Sequence, residues 1–304
     1  MYLEHFGLRE LPFTLTPDTS FYFSYASHQE ALQTLLVALH SGEGFIKVTG
    51  EVGLGKTLVC RKLLNTLKDP FITAYMPNPH LSPGAMRQAI ADEFDLALPA
   101  RATQNDIVRI LTRHLIHLAE TGKRPVVVLD EAQELPTQTL EAVRLLTNLE
   151  TEKRKLLQVV LFGQPELNAR LDEKGIRQLK QRITFSYRLR PLSDDTVGTY
   201  IAHRLQVAGY RGRPLFEQKA IERITRASRG TPRLVNILAH KCLIAAFGKG
   251  DRHIDMTHAR LAIADTEGAF MQRAAWPFLL AGALSGIAAI ALWLTRGIWE
   301  GWLS

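Results

Sequence analysis

The chain has 304 residues, 46% of them hydrophobic and 22% charged, which is enough to bury a full core beside a second, smaller unit and too apolar for a disordered protein. Lys and Arg outnumber Asp and Glu by 37 to 30, and the formal charge of +7 suits an anionic partner without choosing among nucleotide, membrane surface and nucleic acid. Only two cysteines occur, Cys60 and Cys242, both in helical patterns, which excludes a disulfide scaffold and fits a reducing compartment; the opening MYLEHFGLRELPF reads as too charged for a cleavable signal.

In chain order, the opening FGLRELPFTLTPD, with His28 and Gln29 downstream, is expected to pack near the base of a bound nucleotide, while Phe13, Phe21, Tyr22 and Phe23 are expected to bury local core surface. An apolar run at 45–48 predicts a strand, and a helical pattern begins at Lys56. Between them lies GEVGLGKT at 50–57. Gly50, Gly53 and Gly55 let successive backbone amides turn inward around an anion, and the free amides of the following helix add to that field. Lys56 supplies a mobile positive charge at the outer phosphates, and the Thr57 hydroxyl is a magnesium ligand. Glu51, Val52, Leu54 and Leu58 complete the expected phosphate-binding stretch.

A core strand at 71–76 and helices over 82–94 and 105–120 follow. Val126, Val127, Val128 and Leu129 then form an uninterrupted apolar run ending in acid, the pattern of a buried parallel strand. Asp130 therefore falls at a carboxyl end of the sheet, the edge where ligands bind, placed to organise magnesium; Glu131 is placed to polarise an attacking water. The two motifs together make magnesium-dependent ATP hydrolysis the leading reading. A helix over 138–149 leads to strands at 156–162 and 183–187. Gln164, in GQP beyond the first of these, reads either as a sensor of the third phosphate or attacking water, or as a plain turn residue. Arg182 follows a short charged helix and precedes a strand, where it can face a neighbouring subunit's site and stabilise charge on a transferred phosphoryl group; Arg177 is the alternative.

From Ser193 onward only helices are predicted, over 194–208, 216–227, 232–247 and 257–265. In RGTPR at 229–233, Gly230 ends one helix, Thr231 caps the next and Pro232 occupies its first turn. Arg233 then faces the positive end of the helix dipole, a disfavoured place unless an anion compensates, and triphosphate is the expected anion. Residues 274–295 carry no charge. As a helix that span rises about 33 Å, enough for a bilayer core of about 30 Å. Of the four tryptophans, Trp276 and Trp293 lie toward its ends and Trp299 and Trp302 just beyond, and Gly282 and Gly286 form a small-residue face. One membrane crossing is expected, with the preceding region cytoplasmic.

The opening MYLEHFGLRELPFTLTPD, the loop at 50–57, LDEAQ at 129–133, GQPEL at 163–167 and RGTPR at 229–233 together resemble the AAA+ ATPases of the ExeA/GspA secretion family. The resemblance covers essentially the whole chain and leans toward the branch associated with the mannose-sensitive haemagglutinin type IV pilus. It implies an α/β fold with a P-loop AAA+ core, a parallel sheet, a C-terminal helical lid and one transmembrane helix. The implied domains are a nucleotide-binding core at 1–190, a lid at 191–272, a transmembrane segment at 273–296 and a short periplasmic tail at 297–304. Lys56 and Thr57 are implied as phosphate-loop residues, Asp130 and Glu131 as metal and water residues, Gln164 as a sensor, Arg182 as an intersubunit finger and Arg233 as a lid sensor. ATP and Mg2+ are the implied cofactors. A homo-oligomer, possibly hexameric by the family pattern, is expected at the bacterial inner membrane, with pilus or secretion assembly proteins as partners. Larger relatives carry a peptidoglycan-binding module; this chain stops at Ser304, so direct peptidoglycan binding is not expected. The alternative is a DNA-associated AAA+ ATPase organising a transposition or recombination complex, but no helix-turn-helix or zinc module is evident, and nucleic acid is not an expected partner.

Overall fold

The computed structural model describes residues 2–77, 80–149, 155–173 and 175–269. Five strands, β1 (Phe45–Thr49), β2 (Phe71–Met76), β3 (Arg124–Leu129), β4 (Gln158–Gly163) and β5 (Ile183–Arg188), form one sheet in the order β2-β3-β4-β1-β5. Every pairing is parallel. Strands β1, β3 and β4 are buried along nearly their whole length, as uninterrupted apolar runs require, whereas β5 alternates between half-buried and exposed residues as an edge strand does. The order sets the carboxyl ends of β3, β4 and β1 side by side, and this is where the functional loops emerge.

Two helical layers cover the sheet. The period-two alternation of strand side chains divides β3 between them, Val126 and Val128 facing one layer and Val127 and Leu129 the other. On the first face lie α2 (Ala26–His40), which follows the short α1 (Leu3–Phe6), and α3 (Lys56–Thr66), burying Leu35, Leu39, Val59 and Leu63 against Val48, Val160 and Phe162. On the other lie α4 (Pro83–Glu93), α5 (Gln104–Glu120), α6 (Thr137–Leu146), α7 (Glu166–Leu171) and α8 (Arg177–Lys180), with Ile90, Leu111, Leu115 and Leu140 against Phe45, Val159 and Leu161. Thr103 opens α5 with a reciprocal cap: its hydroxyl accepts from the Asp106 N–H while the Asp106 carboxylate accepts from the Thr103 N–H. Expected and observed elements differ mostly at their ends. Strand β4 starts at Gln158, whose buried amide donates to the carbonyls of Leu39 (3.1 Å) and Glu43 (2.9 Å).

After β5 the chain is helical: α9 (Asp194–Val207), α10 (Gln218–Ser228), α11 (Pro232–Lys249) and α12 (Met256–Ala264). Phe216 pairs with Ile254 in an isolated parallel bridge, so α10 begins at Gln218. These helices share one apolar cluster with the start of the chain, where Tyr2, Phe6, Leu8, Phe13, Phe21 and Tyr25 pack against Val197, Ile201, Leu238 and Ala239. The first 25 residues therefore join the helical unit by packing, although about 170 residues separate them from it in sequence.

The expected transmembrane segment at 273–296 and the tail at 297–304 lie outside the described residues. Among the described residues no helix is long and apolar enough to cross a membrane. The longest, α11 with 18 residues, carries Arg233, Lys241 and Lys249 and buries one face in the helical unit. The fold class is corrected accordingly: an α/β AAA+-like fold with a parallel sheet and helical elements, with no transmembrane helix among the described residues. The single-pass inner-membrane placement that rested on that helix is corrected with it.

Candidate functional site

The loop after β1 is drawn tight by its neighbours. The Gly50 N–H donates to the Gly163 carbonyl at the end of β4 (3.2 Å). Gly53 and Gly55 hold φ of 85° and 86°, the left-handed region where a Cβ is penalised. Space is short as well: a Cβ at Gly53 would meet Arg233 Cβ at 2.7 Å, and one at Gly55 would meet the His28 ring at 3.0 Å. α3 starts immediately at Lys56, so its free first-turn amides open toward the loop. Lys56 is buried, and its Nζ donates to the carbonyls of Gly50 (2.9 Å) and Glu51 (3.4 Å). Burial lowers its pKa, against the opposing pull of Glu131, Asp130, Glu51 and Glu166. A cation whose acceptors among the described residues are two loop carbonyls is a donor that phosphate oxygens would serve well.

Asp130 emerges from β3 with 3% of its surface exposed, its N–H bonded to the Met76 carbonyl (3.1 Å). Burial raises its pKa, partly offset by hydrogen bonds from the Thr57 hydroxyl and the Glu131 N–H, the latter 3.0 Å from Oδ1. Among the described residues no group of three or more His, Cys, Asp or Glu suits a metal ion. The Thr57–Asp130 pair suits magnesium, which is commonly held by one or two protein oxygens and completed by phosphate and water.

Glu131 adopts a left-handed backbone (φ 50°, ψ 41°), a strain of about 1–2 kcal/mol for a residue with a Cβ. Its Oε2 accepts from Gln133 Nε2 (2.8 Å) and Gln164 Nε2 (3.4 Å). The Gln164 N–H in turn donates to Gln133 Oε1 (2.8 Å), and the Arg170 guanidinium donates to the Gln133 carbonyl.

The helical unit closes over this edge. The Arg233 N–H donates to the Gly53 carbonyl (3.2 Å). A cavity of about 210 Å³ lies between, lined by Val52, Gly53, Gly55, Lys56, Thr57, Leu58, Glu131, Gln164 and Arg233 among the expected residues. Asp130 sits behind it, close enough to Thr57 to feel its hydroxyl, and Gly50, Glu51 and Leu54 shape the loop without lining it. Arg182 is elsewhere: it precedes β5 at the amino end of the strands, whereas the phosphate loop leaves their carboxyl end. Arg177, at the start of α8, is exposed.

Several lining residues lie outside the expected set. Thr14, Leu15, Thr16, Pro17 and Asp18 of the opening segment border the cavity with Tyr200, Arg204 and Asn236. Arg204 is buried, donates from Nε to the Pro12 carbonyl (2.5 Å) and lies 4.6 Å from the Phe21 ring centre. His28 and Gln29 do not line the cavity. Gln29 is exposed and bonds the Ser24 carbonyl, while His28 is buried behind the loop, its Nε2–H donating to the Leu54 carbonyl (2.9 Å). Burial lowers the His28 pKa to about 4, so the ring is neutral. The aromatic run at the start of the chain signalled burial but not its partner, and a lone amide such as Gln133 gave no signal beyond its place in LDEAQ.

A family model described as an AAA domain matches residues 39–171. General secretion pathway protein A of Aeromonas hydrophila is 43% identical over 302 residues, covering 99% of this chain and 54% of the relative, so the chain spans about half the length of the curated relative it matches. Among solved structures, Cdc6p of Pyrobaculum aerophilum superposes with a TM-score of 0.60 at 21% identity, covering 78% of this chain and 68% of that one. ORC2 of Aeropyrum pernix, in ADPNP-ADP complexes, gives 0.59 at 17% identity, with 82% and 72% covered. At these identities the two structures speak for the fold alone. The chain thus carries an AAA+ ATPase domain, consistent with ATP hydrolysis, and is homologous to a general secretion pathway protein.

Proposed function

We propose that this chain couples magnesium-dependent ATP hydrolysis to work on a secretion-type assembly, and more finely on a mannose-sensitive haemagglutinin type IV pilus or a related secretion complex. The observation that carries the enzymatic part is the meeting of Lys56, Thr57, Asp130 and Glu131 at one sheet edge, beside a cavity that Arg233 closes from the helical unit. In this reading the 50–57 loop amides and Lys56 bind the phosphates, and Thr57 with Asp130 holds the magnesium that neutralises their charge. Glu131 takes a proton from the attacking water, Gln164 orients that water or the terminal phosphate, and Arg233 joins the triphosphate from the lid side. Arg182 lies at the opposite end of the strands from its own chain's loop, so it does not serve its own site; it is assigned, with Arg177 as the alternative, to a neighbouring subunit's site in a homo-oligomer.

The assembly part rests on the Aeromonas relative, whose name places it in the general secretion pathway. The likeness to Cdc6p and ORC2 is one of fold and supports no nucleic-acid role. Lys56→Ala is expected to abolish ATP turnover, measured as phosphate release, while leaving the fold intact by circular dichroism; unchanged turnover would overturn the assignment. For the partner, crosslinking in cells followed by identification, with Lys56→Ala in parallel, is expected to recover secretion or pilus assembly proteins in a nucleotide-dependent contact. Recovery of DNA-processing proteins alone would contradict it.

A further inference from the structure

We infer that Gln133 is the positioning residue for Glu131, and that its side chain ties the catalytic carboxylate to the backbone at the end of β4. The inference rests on the hydrolytic reading above and adds to it a residue with no assigned role. Gln133 is 6% exposed, so both ends of its amide must find partners inside the protein. They do: Nε2 donates to Glu131 Oε2 (2.8 Å), and Oε1 accepts from the Gln164 N–H (2.8 Å). Only this orientation works. The flipped amide would set oxygen against a carboxylate and N–H against N–H.

The surroundings hold the amide in place. The Arg170 guanidinium from α7 donates to the Gln133 carbonyl, and the short 3-10 turn Ala132–Glu134 fixes its backbone. Gly163 leaves the room: a Cβ there would sit 3.1 Å from Gln133 Oε1. Glu131 itself is held on a strained backbone, so without a partner its carboxylate would be free to swing. Gln133 binds one oxygen, Oε2, together with the longer Gln164 contact (3.4 Å), and leaves Oε1 as the oxygen to take a proton. Any displacement of the Gly163–Gln164 peptide also reaches Glu131 through this amide, whose two bonds are shorter than the direct Gln164 side-chain contact beside them.

The test uses the full chain, with steady-state ATP turnover and binding of a fluorescent ATP analogue measured from pH 5.5 to 8. Gln133→Ala is expected to lower kcat by about tenfold to a hundredfold at every pH, with KM within about twofold of wild type, because proton transfer depends on a positioned base. Gln133→Glu keeps size and keeps an acceptor for the Gln164 N–H. Protonated, the new carboxyl donates to Glu131 as the amide did; ionised, it repels it. The ratio of variant to wild-type kcat is therefore expected to fall by about tenfold as pH rises across that range. A merely structural role would leave the ratio flat, and a flat ratio, or Gln133→Ala within twofold of wild-type kcat, would overturn the inference. A Gln133→Glu protein that fails to bind nucleotide even at pH 5.5 would overturn it too. Failure of the hydrolytic reading looks different: the wild type itself shows no turnover, or Lys56→Ala matches it.

Discussion

The two walls of the nucleotide cavity are built by different means. The sheet-edge wall consists of loops that leave adjacent parallel strands, and its key groups sit within short stretches: 50–57, Asp130 to Gln133, and Gln164. Its geometry follows from backbone, namely left-handed glycines, a helix start and a strained Glu131. The helical wall is assembled from side chains brought together over long separations, as when Arg204 reaches the Pro12 carbonyl across 192 positions. The two meet at a narrow backbone seam, Arg233 N–H to Gly53 carbonyl (3.2 Å), and the segment leaving β5 enters the helical unit at Leu192 N–H to Gly230 carbonyl (2.9 Å). The first wall carries the chemistry, and the second sets how it is closed.

The entry to the helical unit is the place to break that arrangement most severely. Gly230 holds φ of 68°, and a Cβ there would lie 2.0 Å from the Leu192 carbonyl oxygen. Gly230→Ala is therefore expected to cost about 3 kcal/mol, from left-handed strain plus displacement of a backbone that cannot yield as a side chain can. Urea unfolding measures it, and a loss below about 0.5 kcal/mol would mean that entry is loose.

A pH series separates the walls next. His28 supports the phosphate loop from behind and is neutral in the fold, its pKa lowered to about 4 from 6.5 by burial. The unfolded chain binds the proton more readily, so this contribution to stability is fully present above about pH 6.5 and is lost as pH falls toward 4. Between pH 7 and 5 the loss from His28 is expected to be about 2 kcal/mol. His28→Phe should flatten that part of the pH dependence whatever it does to absolute stability; an unchanged slope would show the ring is not the group responsible.

The smallest effect sharpens the comparison. Arg233→Ala is expected to weaken ATP binding by about tenfold, about 1.4 kcal/mol, with less change in kcat, since the side chain belongs to closure and not to proton transfer. Titration with a fluorescent ATP analogue tests it, and unchanged affinity would remove Arg233 from the phosphate side of the cavity.

The sheet-edge wall was also the legible one. Strands β1 and β3 lie within about two residues of the positions read from apolar runs, because strands buried on both faces leave no alternation to confuse with a helix, and the half-buried edge strand β2 was also read at its observed position. Lys56, Thr57, Glu131 and Gln164 were all named from motifs, as was Arg233 on the opposite wall, and the structure brings them to one cavity. α2 was missed: its buried Ala31, Leu35 and Leu39 lie among polar residues and follow an aromatic stretch that drew attention to the base instead. His28, read as a neighbour of adenine, bonds the Leu54 carbonyl behind the loop. Gln133 was invisible for a physical reason: an amide acquires meaning only when the fold places Gln164, 31 positions away, against its other end. The apolar stretch at 274–295, read as a crossing, lies outside the described residues, and among those no helix is long and apolar enough to cross a membrane.

The central claim is that Glu131 acts on the attacking water while Lys56, Thr57 and Asp130 hold the nucleotide. The most direct measurement compares wild type with Glu131→Gln for both ATP affinity and turnover in magnesium. The account predicts affinity within about threefold of wild type and turnover lower by about a hundredfold or more. Turnover within about twofold of wild type, with binding intact, would contradict it.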